Sequence, residues 1–201
     1  MDFLSILFIA IGLAMDCLAI SFSLGLSAKN IHIKDILLLS FSFGFFQLIM
    51  PLFGYGIGQA FVNEIRLYDH WISFLILSLI GGKMIYDSLN KQKDEEISDE
   101  IAAELNEKNT INFKRVILLS FATSIDALAS GLIFVPFPSI VALAISVIGA
   151  ISFILTFVGV NAGHHFGKKF NFNFELIGGI VLIGIGLKIL IEHLIEDGSF
   201  F

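Results

Sequence analysis

Phe3 to Leu26 reads FLSILFIAIGLAMDCLAISFSLGL, an apolar run broken by one carboxylate, Asp16. A hydrocarbon core of ~30 Å takes about 20 mostly apolar residues in a helix, so this stretch is long enough to cross it. Five more runs follow, near 35–60, 70–90, 115–135, 139–162 and 174–196, which predicts an all-α membrane protein of six transmembrane helices. The 201-residue chain is 56% hydrophobic and only 15% charged, more apolar surface than a soluble domain could hide. A removable signal peptide is not expected at the first run: Met1, Asp2 and Phe3 provide no basic start, and Asp16 interrupts the apolar region.

The formal net charge of −6 is local in origin, since Asp94, Glu95, Glu96, Asp99, Glu100, Glu104 and Glu107 share one connection. Orientation follows Lys and Arg instead. The first, third and fifth connections carry Lys29, Lys34, Lys91, Lys93, Lys108, Lys114, Arg115, Lys168 and Lys169, against Arg66 alone on the other side. Those three connections are therefore expected in the cytoplasm and both termini outside. Cys17 is the only cysteine, so one chain can build neither a disulfide nor a thiolate metal cluster.

Self-similarity organises the chain. At a shift of 105, Gly44, Gly54, Gly58 and Phe61 fall on Gly149, Gly159, Gly163 and Phe166. The same shift carries Ile80, Gly81, Lys83, Asp87 and Leu89 onto Ile185, Gly186, Lys188, Glu192 and Leu194. At a shift of 110, Asp16, Leu18 and Ala19 meet Asp126, Leu128 and Ala129, the difference fitting a short turn at Pro136-Phe137-Pro138. A unit of three helices is odd, so its copy enters from the opposite side, giving two inverted three-helix repeats, an arrangement common in transporters. The expected organisation is a first repeat at 1–90, a charged cytoplasmic linker at 91–113 and a second repeat at 114–201. The linker reads as a solvated helix with Ile97, Ile101 and Leu105 on one side.

Asp16 and Asp126 each fall near the middle of a predicted span, where a charged side chain costs ~2.5–3.5 kcal/mol even on lenient insertion scales. Neither can face lipid. Ser5, Gly12, Ala19 and Ser23 share the face of Asp16, and Ala122, Thr123, Ala129 and Ser130 that of Asp126. Small residues of this kind let helices approach closely. On the second span Gly44, Gln47, Pro51, Gly54 and Gly58 form a stripe, mirrored on the fifth by Gly149, Ser152, Thr156, Gly159 and Gly163. Pro51 lacks an N–H, so it is expected to break the helical ladder and free the Gln47 carbonyl beside the Gln47 amide oxygen. Carboxylates, amide and hydroxyl oxygens together suit a hard cation such as magnesium, calcium or manganese. The metal ligands expected from this reading are Asp16, Asp126, Gln47 and Thr123.

Other polar residues read as structural. Cys17 turns about 100° from Asp16 and packs on another face. His32, His70, His164, His165 and His193 lie near predicted boundaries, with His70-Trp71 as an interfacial anchor. Lys83 with Asp87, and Lys188 with Glu192, are i, i+4 pairs near helix ends whose ammonium groups are expected to reach for the interface. On that reading no lysine or arginine serves the midplane.

The chain also resembles the bacterial manganese efflux pumps of the MntP type, within the lysine-exporter-like superfamily. The likeness lies in MDCLA at Met15–Ala19, GFFQLIMPLFGYGIG at Gly44–Gly58, HWISFLILSLIGGKMIY at His70–Tyr86, ATSIDALASG at Ala122–Gly131 and IGGIVLIGIGLKIL at Ile177–Leu190. It implies a multi-pass protein of the bacterial cytoplasmic membrane that exports manganese, with Asp16 and Asp126 at the two aspartate motifs. Cys17 stands where such proteins usually have alanine, and Ser130 where valine is common.

The expected function is thus secondary export of a divalent metal ion, manganese(II) foremost, as transported substrate and with no resident cofactor. Two close carboxylates left empty cannot both stay ionised easily, so uptake of at least one proton, and hence antiport, is expected. Export of a small organic cation or amino acid, or a non-transporting scaffold role, are the alternatives. No enzyme is expected, since nucleophile–base pairs, HExxH and phosphate loops are lacking from the sequence. The lipid bilayer is a partner, nucleic acid is not, and the Gly-rich second and sixth spans suit internal packing or a homo-oligomer seam equally.

Overall fold

No water is at hand in a bilayer core to satisfy backbone N–H and C=O groups, so apolar spans settle as helices that close their own hydrogen bonds. The computed structural model describes residues 3–28, 31–60, 69–89, 103, 112–166 and 174–196, and the elements among them are all helices. Five are long and apolar enough to cross a membrane: α1 (Phe3–Ser27), α2 (Ile33–Gln59), α3 (Asp69–Leu89), α6 (Val141–Phe166) and α7 (Phe174–Glu196). A sixth candidate crossing comes in two pieces, α4 (Phe113–Thr123) and α5 (Ile125–Gly131), which a 3-10 turn at Leu132–Phe134 continues. The angle between the pieces is 41°, so the single helix expected at 115–135 is corrected to a bent pair. Most of the linker at 91–113, with its expected helix, lies outside the described residues, as do Lys29, Arg66, Lys168, Lys169 and the His193 side chain.

The bend has a local cause. Ser124 Oγ donates to the Ser120 carbonyl at 2.6 Å, and Thr123 Oγ1 donates to the Leu119 and Ser120 carbonyls at 3.0 and 3.1 Å. With the Ser120 carbonyl taken by hydroxyls, the Ser124 N–H bonds the nearer Phe121 carbonyl at 3.2 Å, and the helix changes direction. Pro51 does not break its helix as expected: α2 runs from Ile33 to Gln59 with Pro51 inside it, although proline still offers the Gln47 carbonyl no N–H. The backbone of α5 at Gly131 packs directly on that turn.

α1 packs mainly on α6 and α7, α3 on α7, and α2 on α6 and α5. One apolar core joins Ile6, Ile9 and Leu13 of α1 to Leu77 and Met84 of α3, Ile148 of α6 and Leu182 of α7. A second joins Cys17, Ile20 and Leu24 to Ile36, Leu39, Phe43, Val116 and Val160. Large apolar side chains also point outward around the bundle, among them Phe41, Phe53, Leu79, Leu118 and Ile180, as lipid contact requires.

Where α2 meets α5, backbone touches backbone. A Cβ added to Gly54 would overlap the Leu128 carbonyl, and one added to Gly131 would overlap the Pro51 carbonyl. Gly44 and Gly149 oppose each other across α2 and α6, while Gly159 and Gly163 let α6 lie against α1 at Leu18 and Phe22; Gly58 is buried as well. Gly44, Gly54, Gly149, Gly159 and Gly163 thus lie where helices touch.

Candidate ion-binding site

Asp16 sits at the centre of α1. The bend at Ser124 sets Asp126 in the first turn of α5, just past the α4 face that carries Leu119, Ala122 and Thr123. Between α1, α3, α4 and the start of α7 lies a cavity of about 120 Å³, well above the ~10–15 Å³ that one water needs. Its polar lining is Asp16, Thr123, Lys83, Asp87 and Glu175, with Ile20, Leu119 and Ala122 as apolar walls. Asp126 joins through an ion pair, Lys83 Nζ lying 2.8 Å from Asp126 Oδ2.

That pair corrects the sequence reading of Lys83. Its ammonium does not reach for the interface but turns inward to Asp126, and Asp87, one turn away on α3, stands at the longer distance of 3.9 Å. The reason is electrostatic. The Asp126 side chain is only 13% exposed, and a carboxylate at that depth needs a compensating charge more than Asp87, near a helix end, does. Lys188, by contrast, donates to Ser5 Oγ at 3.2 Å and lies 3.5 Å from Glu192, close to the expected i, i+4 pairing.

Among the described residues around the cavity four carboxylates, Asp16, Asp87, Asp126 and Glu175, face one ammonium. A low-dielectric cleft in which negative charge predominates focuses its field on cations. Thr123 suits a cation too: its proton is spent on backbone carbonyls, so its oxygen presents lone pairs. Among the described residues no three His, Cys, Asp or Glu side chains converge on a single point, so in this state the site is a lined passage rather than a closed cage.

Gln47 lies elsewhere. It is buried between α1 and α6, its Nε2 3.5 Å from Cys17 Sγ, and does not line the cavity. Its Oε1 has no hydrogen-bond partner, and neither do the buried hydroxyls of Ser152 and Thr156 on the facing side of α6. Cys17 is fully buried in this layer, on a face other than that of Asp16 as its helical position predicts. His164, near the end of α6, has Nδ1 3.2 Å from the Ala28 carbonyl.

The family model described as "Mntp: Putative manganese efflux pump" matches residues 30–190. A protein of Clostridium botulinum (strain Loch Maree / Type A3) named "Putative manganese efflux pump MntP" is 44% identical over 195 residues, covering 96% of each chain. A protein of the same name from Clostridium perfringens (strain SM101 / Type A) is 39% identical, also over 96% of each chain. One from Gloeothece citriformis (strain PCC 7424) is 42% identical, over 96% of this chain and 97% of its own. No solved structure matches.

Proposed function

We propose a function from one premise: the chain belongs to the family described as "Mntp: Putative manganese efflux pump". The proposal is a secondary transporter of the bacterial cytoplasmic membrane that moves divalent metal ions, manganese(II) above all, out of the cell. Asp16 and Asp126 carry the ion, Thr123 adds a hydroxyl oxygen, and Gln47 joins them in another state of the cycle. The observation that carries this reading is the acidic cavity, which leads from Asp87 and Glu175 at helix ends to Asp16 at mid-span.

Its direction fits export. Asp87 lies at the end of α3 and Glu175 at the start of α7, on the side of the first, third and fifth connections. The Lys and Arg of those connections assign that side to the cytoplasm, with both termini outside. The open cavity is then the loading mouth. Toward the other side Ile9, Leu13, Leu77 and Leu182 are buried, and Gly12 lies against Leu182, as a closed exit requires.

Contacts between the halves support the inverted repeat behind such alternation. Gly54 lies against Leu128 and Gly131; their repeat mates Gly159, Leu18 and Ser21 make the corresponding contact. Gly81 lies against Gly179, and the mates Gly186 and Phe74 again meet. Contacts that interchange this way are what a two-fold between the halves demands. One copy is open where the other is closed: Ala122 is exposed, while its mate Gly12 is buried. Rocking one half against the other would exchange those roles. The return step is read as proton-coupled.

Lys83 gives an amino-acid substrate the carboxylate partner that the sequence reading denied it. The four surrounding carboxylates weigh against that substrate and for a metal cation.

Intracellular manganese, iron, calcium, magnesium and cadmium, measured in cells with and without the protein, test the proposal. Manganese alone is expected to fall with expression; unchanged manganese, or a loss of basic amino acids instead, would overturn it. Orientation has its own test. The only native cysteine, Cys17, is fully buried, so a cysteine placed at Ala122 should dominate labelling by a membrane-impermeant thiol reagent. Labelling is expected from the cytoplasmic face and to be slowed by manganese, whereas labelling from the outside only would reverse the assigned direction.

A further inference from the structure

We propose that Lys83 is a tethered counter-ion that competes with the transported cation for Asp126. The inference rests on the reading of Asp16 and Asp126 as the ion carriers. It starts from where the ammonium can go. Lys83 Nζ lies 2.8 Å from Asp126 Oδ2 and 3.9 Å from Asp87 Oδ2 in a cavity that Asp16 also lines, so carboxylates surround it and it leans on Asp126. The Lys83 side chain is 54% exposed beside an open cavity, so it can move from Asp126 to Asp87 by changing rotamer, with no helix displaced. A pair that served folding alone would be packed on both sides; here only the Asp126 side is enclosed, at 13% exposure.

Charge then orders the events. Asp16 lines the same cavity as Lys83, so a divalent ion arriving there enters a space that holds both the carboxylate and the ammonium, and reaches Asp126 as the ammonium yields. Two positive charges outcompete one for the same carboxylate once water is excluded. The displaced ammonium finds Asp87 nearer the mouth, where it opposes the ion's return to the cytoplasm. After release on the far side the ammonium comes back to Asp126, so the empty protein does not carry that carboxylate uncompensated across the cycle. Lys83 weakens binding and thereby lets the ion leave.

The test is manganese affinity of the purified protein in lipid nanodiscs. Lys83→Gln keeps most of the length of the side chain and removes its charge, and is expected to bind manganese about tenfold more tightly, ~1.4 kcal/mol. Net efflux should slow in that variant while manganese–manganese exchange persists, because exchange never needs the empty protein to return. Lys83→Arg should bind as the native protein does, and in an Asp126→Asn background Lys83→Gln should bring no gain. A lost fold weakens binding, so it cannot imitate the tightening. Equal or weaker binding by a folded Lys83→Gln, or a gain that survives in Asp126→Asn, overturns the inference. Should Lys83→Gln fail to fold, amine acylation of the native protein read by mass spectrometry decides: manganese should raise the reactivity of Lys83, and unchanged or reduced reactivity overturns the inference. A native protein that binds no manganese would instead refute the export reading itself.

Discussion

Asp16→Asn and Asp126→Asn are each expected to abolish manganese efflux from metal-loaded right-side-out vesicles while leaving the protein in the membrane. The amide keeps size and hydrogen bonding and removes one unit of charge, so the substitution isolates electrostatics. Two unit charges ~4 Å apart at an effective dielectric constant near 20 interact by about 4 kcal/mol, and a divalent ion doubles that. Even with much of it offset by desolvation, losing one carboxylate should weaken binding by roughly 100-fold or more, about 2.7 kcal/mol. The variants should differ in one respect. Asp126→Asn also leaves the Lys83 ammonium without its 2.8 Å partner, so its thermal unfolding temperature should drop. Wild-type efflux in both would remove the carboxylates from the mechanism, and with them the reason to read the cavity as an ion path.

The spans were legible because lipid imposes a simple rule: apolar length decides, and six runs of sufficient length became five continuous helices and one bent pair. The bend itself was written in Ser120, Thr123 and Ser124, three hydroxyls within one turn and a half. Thr123 was weighed as a metal-facing hydroxyl, and the competition of all three for backbone carbonyls went unread. Their repeat mates Ala10, Leu13 and Ala14 have no hydroxyls, which fits α1 being one uninterrupted helix. Pro51 misled in the other sense, since a residue's own chemistry does not say whether neighbours will tolerate a missing donor. Lys83 was read from its nearest acidic neighbour in sequence, Asp87. Its closer partner is 43 residues away, and only the packing of α3 beside α5 reveals it. The signal present in sequence was the repeat itself, which sets a lysine and an acid at equivalent places in both halves, and which local pairing accounted for too readily.

Gly54→Val should cost both fold and transport, and the reason is the same contact seen from two sides. α2 and α5 approach until a Cβ at Gly54 would overlap the Leu128 carbonyl, and a backbone atom cannot swing aside as a flexible side chain can. Overpacking a core usually costs ~1–3 kcal/mol, and a clash that must push a pair of backbones away from each other belongs at the top of that range or beyond. The helix pushed away is α5, a short element of 7 residues that carries Asp126 in its first turn. Its displacement moves the carboxylate relative to both Lys83 and Asp16, so efflux should fail even in the fraction that still folds. Gly56 supplies the contrast on the same helix: it is exposed, and a Cβ there meets nothing within 4 Å. Gly56→Ala is therefore expected to keep efflux and unfolding temperature at or above native, since alanine favours helix by up to ~1 kcal/mol over glycine. The pair is read by unfolding temperature in detergent and by vesicle efflux. A Gly54→Val protein that unfolds and exports like the native one would mean that α5 is not held by this crossing, and that the position of Asp126 has another origin.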